Sequence, residues 1–324
     1  MKNIVTIGGG TGSFVLLTGL KKYTKNLTAI VAMSDSGGST GVLRDELGIL
    51  PPGDIRRCLI ALSQSPKILL DLFNYRFHNG HLAGHSFGNL FLAALSEITG
   101  DFEKAITKAS EILKIEGRVI PVTLTKTTLY AQLENGRVIE GEQNIDIPKH
   151  NPKLKIKNIF LKPPAKSNPR ALEAIRKADL IVIGPGDIYT SIIPNLLVNG
   201  TAKAIRNSRA KKIYVNNLMT KYGESNDFKV HNFIEEIEKY LGKNVIDYVI
   251  FNNKRPPKRL LAKYEKEKKY FVEWDEEKLK NKHYLAVPAN VISGKNLVRH
   301  DPDKLAKIIL TVSELENVFK IYKK

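Results

Sequence analysis

Cysteine is almost missing from this sequence: Cys58 is the only one in 324 residues. A single thiol excludes an internal disulfide framework and a zinc site built on several cysteines, and it fits a reducing compartment. No apolar run approaches the roughly 20 residues that a membrane-crossing helix needs. Met1, Lys2 and Asn3 lead straight into an apolar stretch, without the charged, apolar and small-residue segments of a secretory leader. The expectation is a cytoplasmic protein with no membrane insertion. Acidic residues are also in deficit, 33 against 51 Lys and Arg, which leaves a net charge of +18. That excess would suit nucleic acid, an anionic surface or phosphorylated small molecules. The cations are scattered, however, and in the run 254–269 they are interrupted by Glu265 and Glu267. Without an RNA-recognition, zinc-finger or helix-turn-helix signature beside it, that run reads as a solvated face, and no nucleic-acid partner is expected.

What the sequence has is glycine in the right places. The stretch 30–59 starts as an apolar strand ending at Met33 and breaks into Asp35, Ser36, Gly37, Gly38, Ser39, Thr40 and Gly41. It then reads as loop until a helix start at Pro51 to Asp54. Small residues, hydroxyls and glycines after a strand let backbone N–H groups approach an anionic ligand. Earlier, the apolar run 3–7 is followed by Gly8, Gly9, Gly10, Thr11, Gly12 and Ser13 and then a helical pattern from Phe14. A third glycine loop, Gly184 to Ser191, follows the apolar strand 179–184. Strand, glycine turn and helix form the unit that seats phosphate at a helix N-terminus. The dinucleotide fingerprint is incomplete, because Ser13 stands where its last glycine belongs, and no Lys-Ser/Thr pair closes a P-loop.

Helical periodicity covers 65–77, 86–99 and 101–113, and the last helix is expected over 301–322. From Gly117 the pattern turns to β, with a hairpin signal at Asn135-Gly136, which predicts a small antiparallel insertion over 117–165. Later strands, 211–220 and 245–254, end on Asn216-Asn217 and Asn252-Asn253. Strands that finish on glycine or polar loops, separated by helices, predict one α/β domain over 1–324. Its core would be a Rossmann-like, doubly wound parallel sheet with the ligand at the strand carboxyl ends.

Several lookalikes carry less weight. Residues 84–88 spell G-x-S-x-G, but no buried strand precedes Ser86 and no partner acid and histidine follow. His78, His81 and His85 have metal-like spacing, yet Gly80 and Gly84 break the helix that would align them, so no metal site is assigned. Cys58 reads as a core residue, and Trp274, Tyr270 and Phe271 as packing.

The motifs GGGTG (8–12), SDSGGSTG (34–41), PPGDIRRCL (51–59), GHSFGNL (84–90), GPGDIYTSIIPNLLV (184–198), NNLMT (216–220) and RHDP (299–302) together resemble the bacterial gluconeogenesis factor family. That family is a branch of the CofD-like superfamily, which includes 2-phospho-L-lactate transferase. The resemblance spans essentially the whole chain. It implies a cytoplasmic protein that binds UDP-sugars such as UDP-N-acetylglucosamine and acts in cell shape and envelope synthesis during gluconeogenic growth. It places the phosphate-facing backbone at Gly9, Gly10, Thr11 and Gly12, with Asp35, Ser36, Gly38 and Ser39 opposite and Gly186 and Asp187 in the third loop. Asn89 and Asn217 would reach ribose or base from neighbouring strand ends. Tyr264 would stack on uracil or sugar, or serve as a plain surface tyrosine. Arg299 would pair with the diphosphate through its planar fork. Asp54 falls at the acceptor and metal position of the transferases, its alternative role being a helix N-cap. Pro302 stands where some members carry a phosphorylatable threonine.

Two readings follow. One is a non-catalytic nucleotide-sugar-binding regulator, with no certain cofactor. The other is a transferase that moves a phospho-acyl group from a nucleoside diphosphate carrier, with Mg²⁺ on the diphosphate and Asp54 at the acceptor. The motif wording favours the regulator, and a homo-oligomer stays open.

Overall fold

In the computed structural model, which describes residues 2–293 and 297–315, the chain begins with β1 (Ile4–Gly8), α1 (Gly10–Leu20) and β2 (Leu27–Val31). A helical stretch follows, α2 (Gly38–Leu47), α3 (Gly53–Leu62), α4 (Lys67–Asn74), α5 (Phe87–Thr99) and α6 (Phe102–Ile112), and then β3 (Arg118–Pro121). Next come β4 (Thr128–Leu133), β5 (Val138–Glu140), α7 (Glu142–Asp146), β6 (Ile156–Lys162), α8 (Pro169–Lys177) and β7 (Leu180–Ile183). A π-helical turn (Ile188–Ile192) leads into α9 (Ile193–Leu197), α10 (Thr201–Asn207), β8 (Lys211–Val215) and α11 (Val230–Leu241). The described chain closes with β9 (Tyr248–Asn252), α12 (Lys258–Lys266), α13 (Glu276–Leu279), β10 (Leu285–Ala289) and α14 (Pro302–Glu314).

The glycine-flanked apolar runs become strands because their aliphatic side chains face helices on both sides. β1, β2, β7 and β9 are buried at every position. They belong to a seven-stranded sheet of order β10-β9-β8-β7-β1-β2-β3, in which every pairing is parallel. The chain winds from β1 outward to β3 and, after the insertion, from β7 outward to β10. Strand order therefore reverses between neighbours β1 and β7, the place where doubly wound sheets open a crevice. Helix α1 lies against α3 and α14. Its approach to α14 needs Gly19, since a Cβ there would stand 2.1 Å from Pro302 O.

The antiparallel insertion is a three-stranded sheet of order β5-β4-β6, and the alternating burial of β4 shows one face packed and one in solvent. It begins later than the sequence pattern suggested. Residues 118–121 are the edge strand of the main sheet, with Thr28 opposite Arg118, because Val119, Ile120 and Pro121 are buried against it. The stretch after Gly37 is helix α2, where the sequence reads as loop. Gly41 misleads there: a Cβ on it would stand 2.3 Å from Ser36 O, so it serves close packing within a helix. Helix α2 stops at Gly48, whose φ of +63° is the usual glycine exit. The end of the expected last helix, 316–322, lies outside the described residues. Among those described, no helix is long and apolar enough to cross a membrane.

Candidate functional site

Three helices start at the same end of the sheet, and none caps itself. α1 begins after Gly9, α2 after Gly37 and α3 after Pro52, and none of these residues makes a side-chain capping hydrogen bond. Each helix start leaves backbone N–H groups that need an acceptor and carries the positive end of the helix dipole. All three starts line one cleft of about 510 Å³. Sheet topology explains the convergence. β1 and β2 deliver α1 and α2, and β7, beside β1, delivers the loop 184–187. The two central loops touch through their backbones: a Cβ on Gly12 would stand 2.0 Å from Pro185 O.

Carboxylates occupy the floor. Asp35 Oδ1 accepts the Gly37 N–H at 2.9 Å, and a Cβ on Gly53 would stand 2.6 Å from Asp35 Oδ2. Asp54 does not cap its own helix; it accepts the Gly10 N–H at the start of α1. Loss of water around it and the charge of Asp35 push its pKa up to about 7. Glu142, on the insertion, accepts the Ser36 N–H at 3.3 Å and is pushed to about 8, first by burial and then by Asp35. Cations line the walls. Arg57 Nη1 donates to Thr11 Oγ1 at 2.9 Å. Arg56 is buried, donates from Nη1 to Phe73 O at 3.0 Å and leaves Nε without a partner; burial lowers its pKa to about 10.

The insertion closes one side. Lys221, in the loop after β8, hydrogen-bonds Asp146 at the end of α7 and Asp187 in the third glycine loop, and its Nζ lies 3.1 Å from Glu224 Oε1. Burial works against its charge, but the three carboxylates outweigh it and raise its pKa. Burial likewise pushes Glu224 upward, against the pull of Lys221.

A second cleft of about 200 Å³ opens beyond the first, and Thr11, Gly12, Gly186 and Asp187 border both. Tyr264, Arg299 and Asn217 line it. The half-buried Tyr264 accepts the Val298 N–H at 3.1 Å through its hydroxyl, Arg299 is exposed, and Asn217 Oδ1 accepts the Gly186 N–H at 3.2 Å.

The structure thus brings Gly9, Gly10, Thr11, Gly12, Asp35, Gly38, Ser39, Asp54, Asn89, Gly186 and Asp187 to the larger cleft. Ser36 is not among the residues that line it; its hydroxyl accepts the Gln143 N–H at 3.0 Å and so ties the insertion to the loop. Asn89 is not at a strand end. It is buried on α5 at the cleft and donates to Ser39 Oγ at 3.3 Å and Thr40 Oγ1 at 3.4 Å, bracing the start of α2. His85 joins that brace at 3.3 Å from Ser39 Oγ. Ser86 precedes α5 with its hydroxyl buried, in a setting with no strand before it, and Cys58 is buried in the core. Sequence reasoning did not single out Arg56, Arg57, Arg76, Glu142 or Asp146, all of which border the cleft. The arginine pair inside PPGDIRRCL offered a signal; the insertion residues offered none, because they are distant in sequence.

Comparison with known proteins agrees with this architecture. The family described as 2-phospho-L-lactate transferase CofD matches residues 4–292. A gluconeogenesis factor of Halalkalibacterium halodurans is 43% identical over 312 residues, 95% of this chain and 96% of that protein. One from Bacillus subtilis is 42% identical over 310 residues, 95% and 96% of the two chains. A crystal structure of a UPF0052 family member from Bacillus halodurans superposes with a TM-score of 0.91 at 42% identity, covering 95% of this chain and 98% of that one. The chain belongs to the CofD family, on the branch of the gluconeogenesis factors.

Proposed function

We propose that this protein binds a nucleoside diphosphate sugar, with UDP-N-acetylglucosamine the first candidate, and acts as a regulator rather than a catalyst. The observation that supports this is the pair of clefts meeting at Thr11, Gly12 and Gly186. A diphosphate at that junction would meet the start of α1 and the third glycine loop, and Arg57 from one wall. The base would lie against Tyr264 in the smaller cleft, and the sugar in the larger, polar one. Arg299 stands at the mouth of the smaller cleft, where its fork suits phosphate oxygens. The relatives are called gluconeogenesis factors, which fits action during growth on gluconeogenic carbon, and the role proposed there is in cell shape and envelope synthesis. The cytoplasm is the proposed location.

A second reading rests on Asp54. A carboxylate with a pKa near 7 beside a second acid can carry a proton to or from a substrate hydroxyl at neutral pH. Asp35 and Asp54 also offer the hard oxygen donors that suit Mg²⁺, and their mutual repulsion is the imbalance a cation would relieve. Bound there, the ion would supply charge neutralisation to a diphosphate, as a phospho-acyl transferase requires.

Isothermal titration of the protein with UDP-N-acetylglucosamine, UDP-glucose and GDP, each with and without Mg²⁺, separates the readings. The regulator predicts tight binding of UDP-sugars, with the sugar intact by mass spectrometry afterwards. A GDP preference that depends on Mg²⁺ would overturn it in favour of the transferase.

A further inference from the structure

We infer that the larger cleft holds a second anion subsite, apart from the diphosphate junction: the start of α2, with Arg56 and Arg76 beside it, receives a carboxylate or phosphate group. Gly37 caps α2 without a side chain. The N–H groups of Thr40 and Gly41 turn back to Gly37 O, but those of Gly38 and Ser39 meet no acceptor among the described residues. Both residues line the cleft and present the positive end of the helix dipole there. The arginines are held close to this helix start. Arg76 pairs with Ser86 in an antiparallel bridge, and the Ser86 N–H reaches Ser39 Oγ at 3.4 Å. Arg56 Cδ lies 2.6 Å from where a Cβ on Gly88 would stand, and the next residue, Asn89, donates to Ser39 Oγ and Thr40 Oγ1.

The independent observation is the state of Arg56. It borders the cleft, is only 6% exposed, and its Nε has no partner. The acceptor that it does meet, Phe73 O at 3.0 Å from Nη1, is neutral. Arg44, Arg170 and Arg255 each pair with a carboxylate, whereas Arg56 and Arg76 pair with none among the described residues. The charges that act most strongly on Arg56 are those of its like-charged neighbours Arg57 and Arg76, ahead of Asp54 and Asp35. A buried guanidinium in that state is costly until an anion completes it. The nearby acids serve other groups: Asp35 accepts the Gly37 N–H and Glu142 the Ser36 N–H, both on the loop before α2. Arg57 is turned to Thr11 at the start of α1. Each of the two helix starts thus has its own cation, in one cleft of about 510 Å³.

The anion arrives either on the sugar of a nucleoside diphosphate sugar, which rests on the reading above, or as a separate small acid. Inorganic phosphate is the probe, titrated calorimetrically into the full chain without nucleotide. Arg76 is exposed, so Arg76→Gln spares the fold, and Arg56→Gln is made beside it. Either variant is expected to weaken the binding of one phosphate by at least about tenfold, the usual effect of losing a charged hydrogen bond. Arg57→Ala should keep that phosphate. No saturable binding by wild type would overturn the inference, as would binding that neither variant weakens. UDP-glucose and UDP-glucuronate, which differ by one carboxylate, then identify the source. Roughly tenfold tighter binding of UDP-glucuronate, abolished by Arg76→Gln, places the acid on the sugar. Phosphate and UDP-glucose bound together place it on a separate molecule. Phosphate displaced by UDP would assign it to the diphosphate junction and overturn the inference. Because the first titration contains no nucleotide, failure of every UDP-sugar to bind would end the nucleotide-sugar reading and leave the anion subsite standing.

Discussion

Asp54 fills the space that a side chain on Gly9 would need: a Cβ there would stand 2.4 Å from Asp54 Oδ2. Gly9 has an extended backbone, φ −167°, that any residue adopts, so glycine is required by this contact alone. Gly9→Ala is expected to destabilise the protein by about 1–3 kcal/mol, the usual cost of overpacking, and to weaken nucleotide-sugar binding. Adding Asp54→Ala should return most of the lost stability. Melting curves of the two single variants and the double variant measure that coupling directly. Additive losses would mean that the two residues do not compete for the same space.

The raised pKa of Asp54 makes stability depend on pH in a defined direction. Its ordinary value is 3.8 and its value in the fold about 7, so between those limits the folded chain holds a proton that the unfolded chain has lost. Folding is therefore disfavoured progressively as pH rises through this window. Asn at position 54 still offers an oxygen to the Gly10 N–H and never ionises. Asp54→Asn should stabilise the ligand-free protein by about 1–3 kcal/mol at pH 8 and change little at pH 4. Urea unfolding at the two pH values tests this, and a gain of equal size at both would exclude ionisation as its cause.

Much of the frame was legible before any coordinates. Buried parallel strands announce themselves as short aliphatic runs, and the loops at Gly8, Asp35 and Gly184 marked the strand ends that open onto the cleft. What sequence order could not show was the reversal between β1 and β7, which alone makes the Gly12 and Pro185 loops neighbours. Helix α2 was hidden because Gly38 and Gly41 depress local propensity, although Gly41 is what allows the helix to pass close to Ser36 O. Glu142 and Asp146 were hidden for a different reason. Their roles arise only when the insertion folds back over the cleft, and no local pattern records that contact.

Arg57 provides a test of the diphosphate end. Its guanidinium reaches Thr11 from α3 and is half exposed, so the fold does not depend on it. A hydrogen bond to a charged group contributes about 1.5–3 kcal/mol, which corresponds to roughly ten- to a hundredfold in affinity. Arg57→Ala is expected to lose that much for UDP-N-acetylglucosamine while its melting temperature stays within a few degrees of wild type. Lysine at 57 should recover only part of the loss, because it cannot present two parallel donors. Equal affinities across the three proteins would place the diphosphate elsewhere.

The smaller cleft is tested by separating ring from hydroxyl at Tyr264. The hydroxyl accepts the Val298 N–H, so it positions the segment before Arg299, while the ring, packed on the core, also lines the cleft where a base would lie. Tyr264→Phe keeps the ring and should retain UDP-sugar affinity within a fewfold, with a small drop in melting temperature. Tyr264→Ala removes the stacking surface, worth about 1–3 kcal/mol for a base, and should weaken binding of UDP and of UDP-sugars by the same factor. Because the base is common to both ligands, that equality is the signature of a base contact. If Tyr264→Ala weakened UDP-sugars but left UDP unchanged, Tyr264 would instead be a sugar contact, and the orientation of the ligand across the two clefts would be reversed.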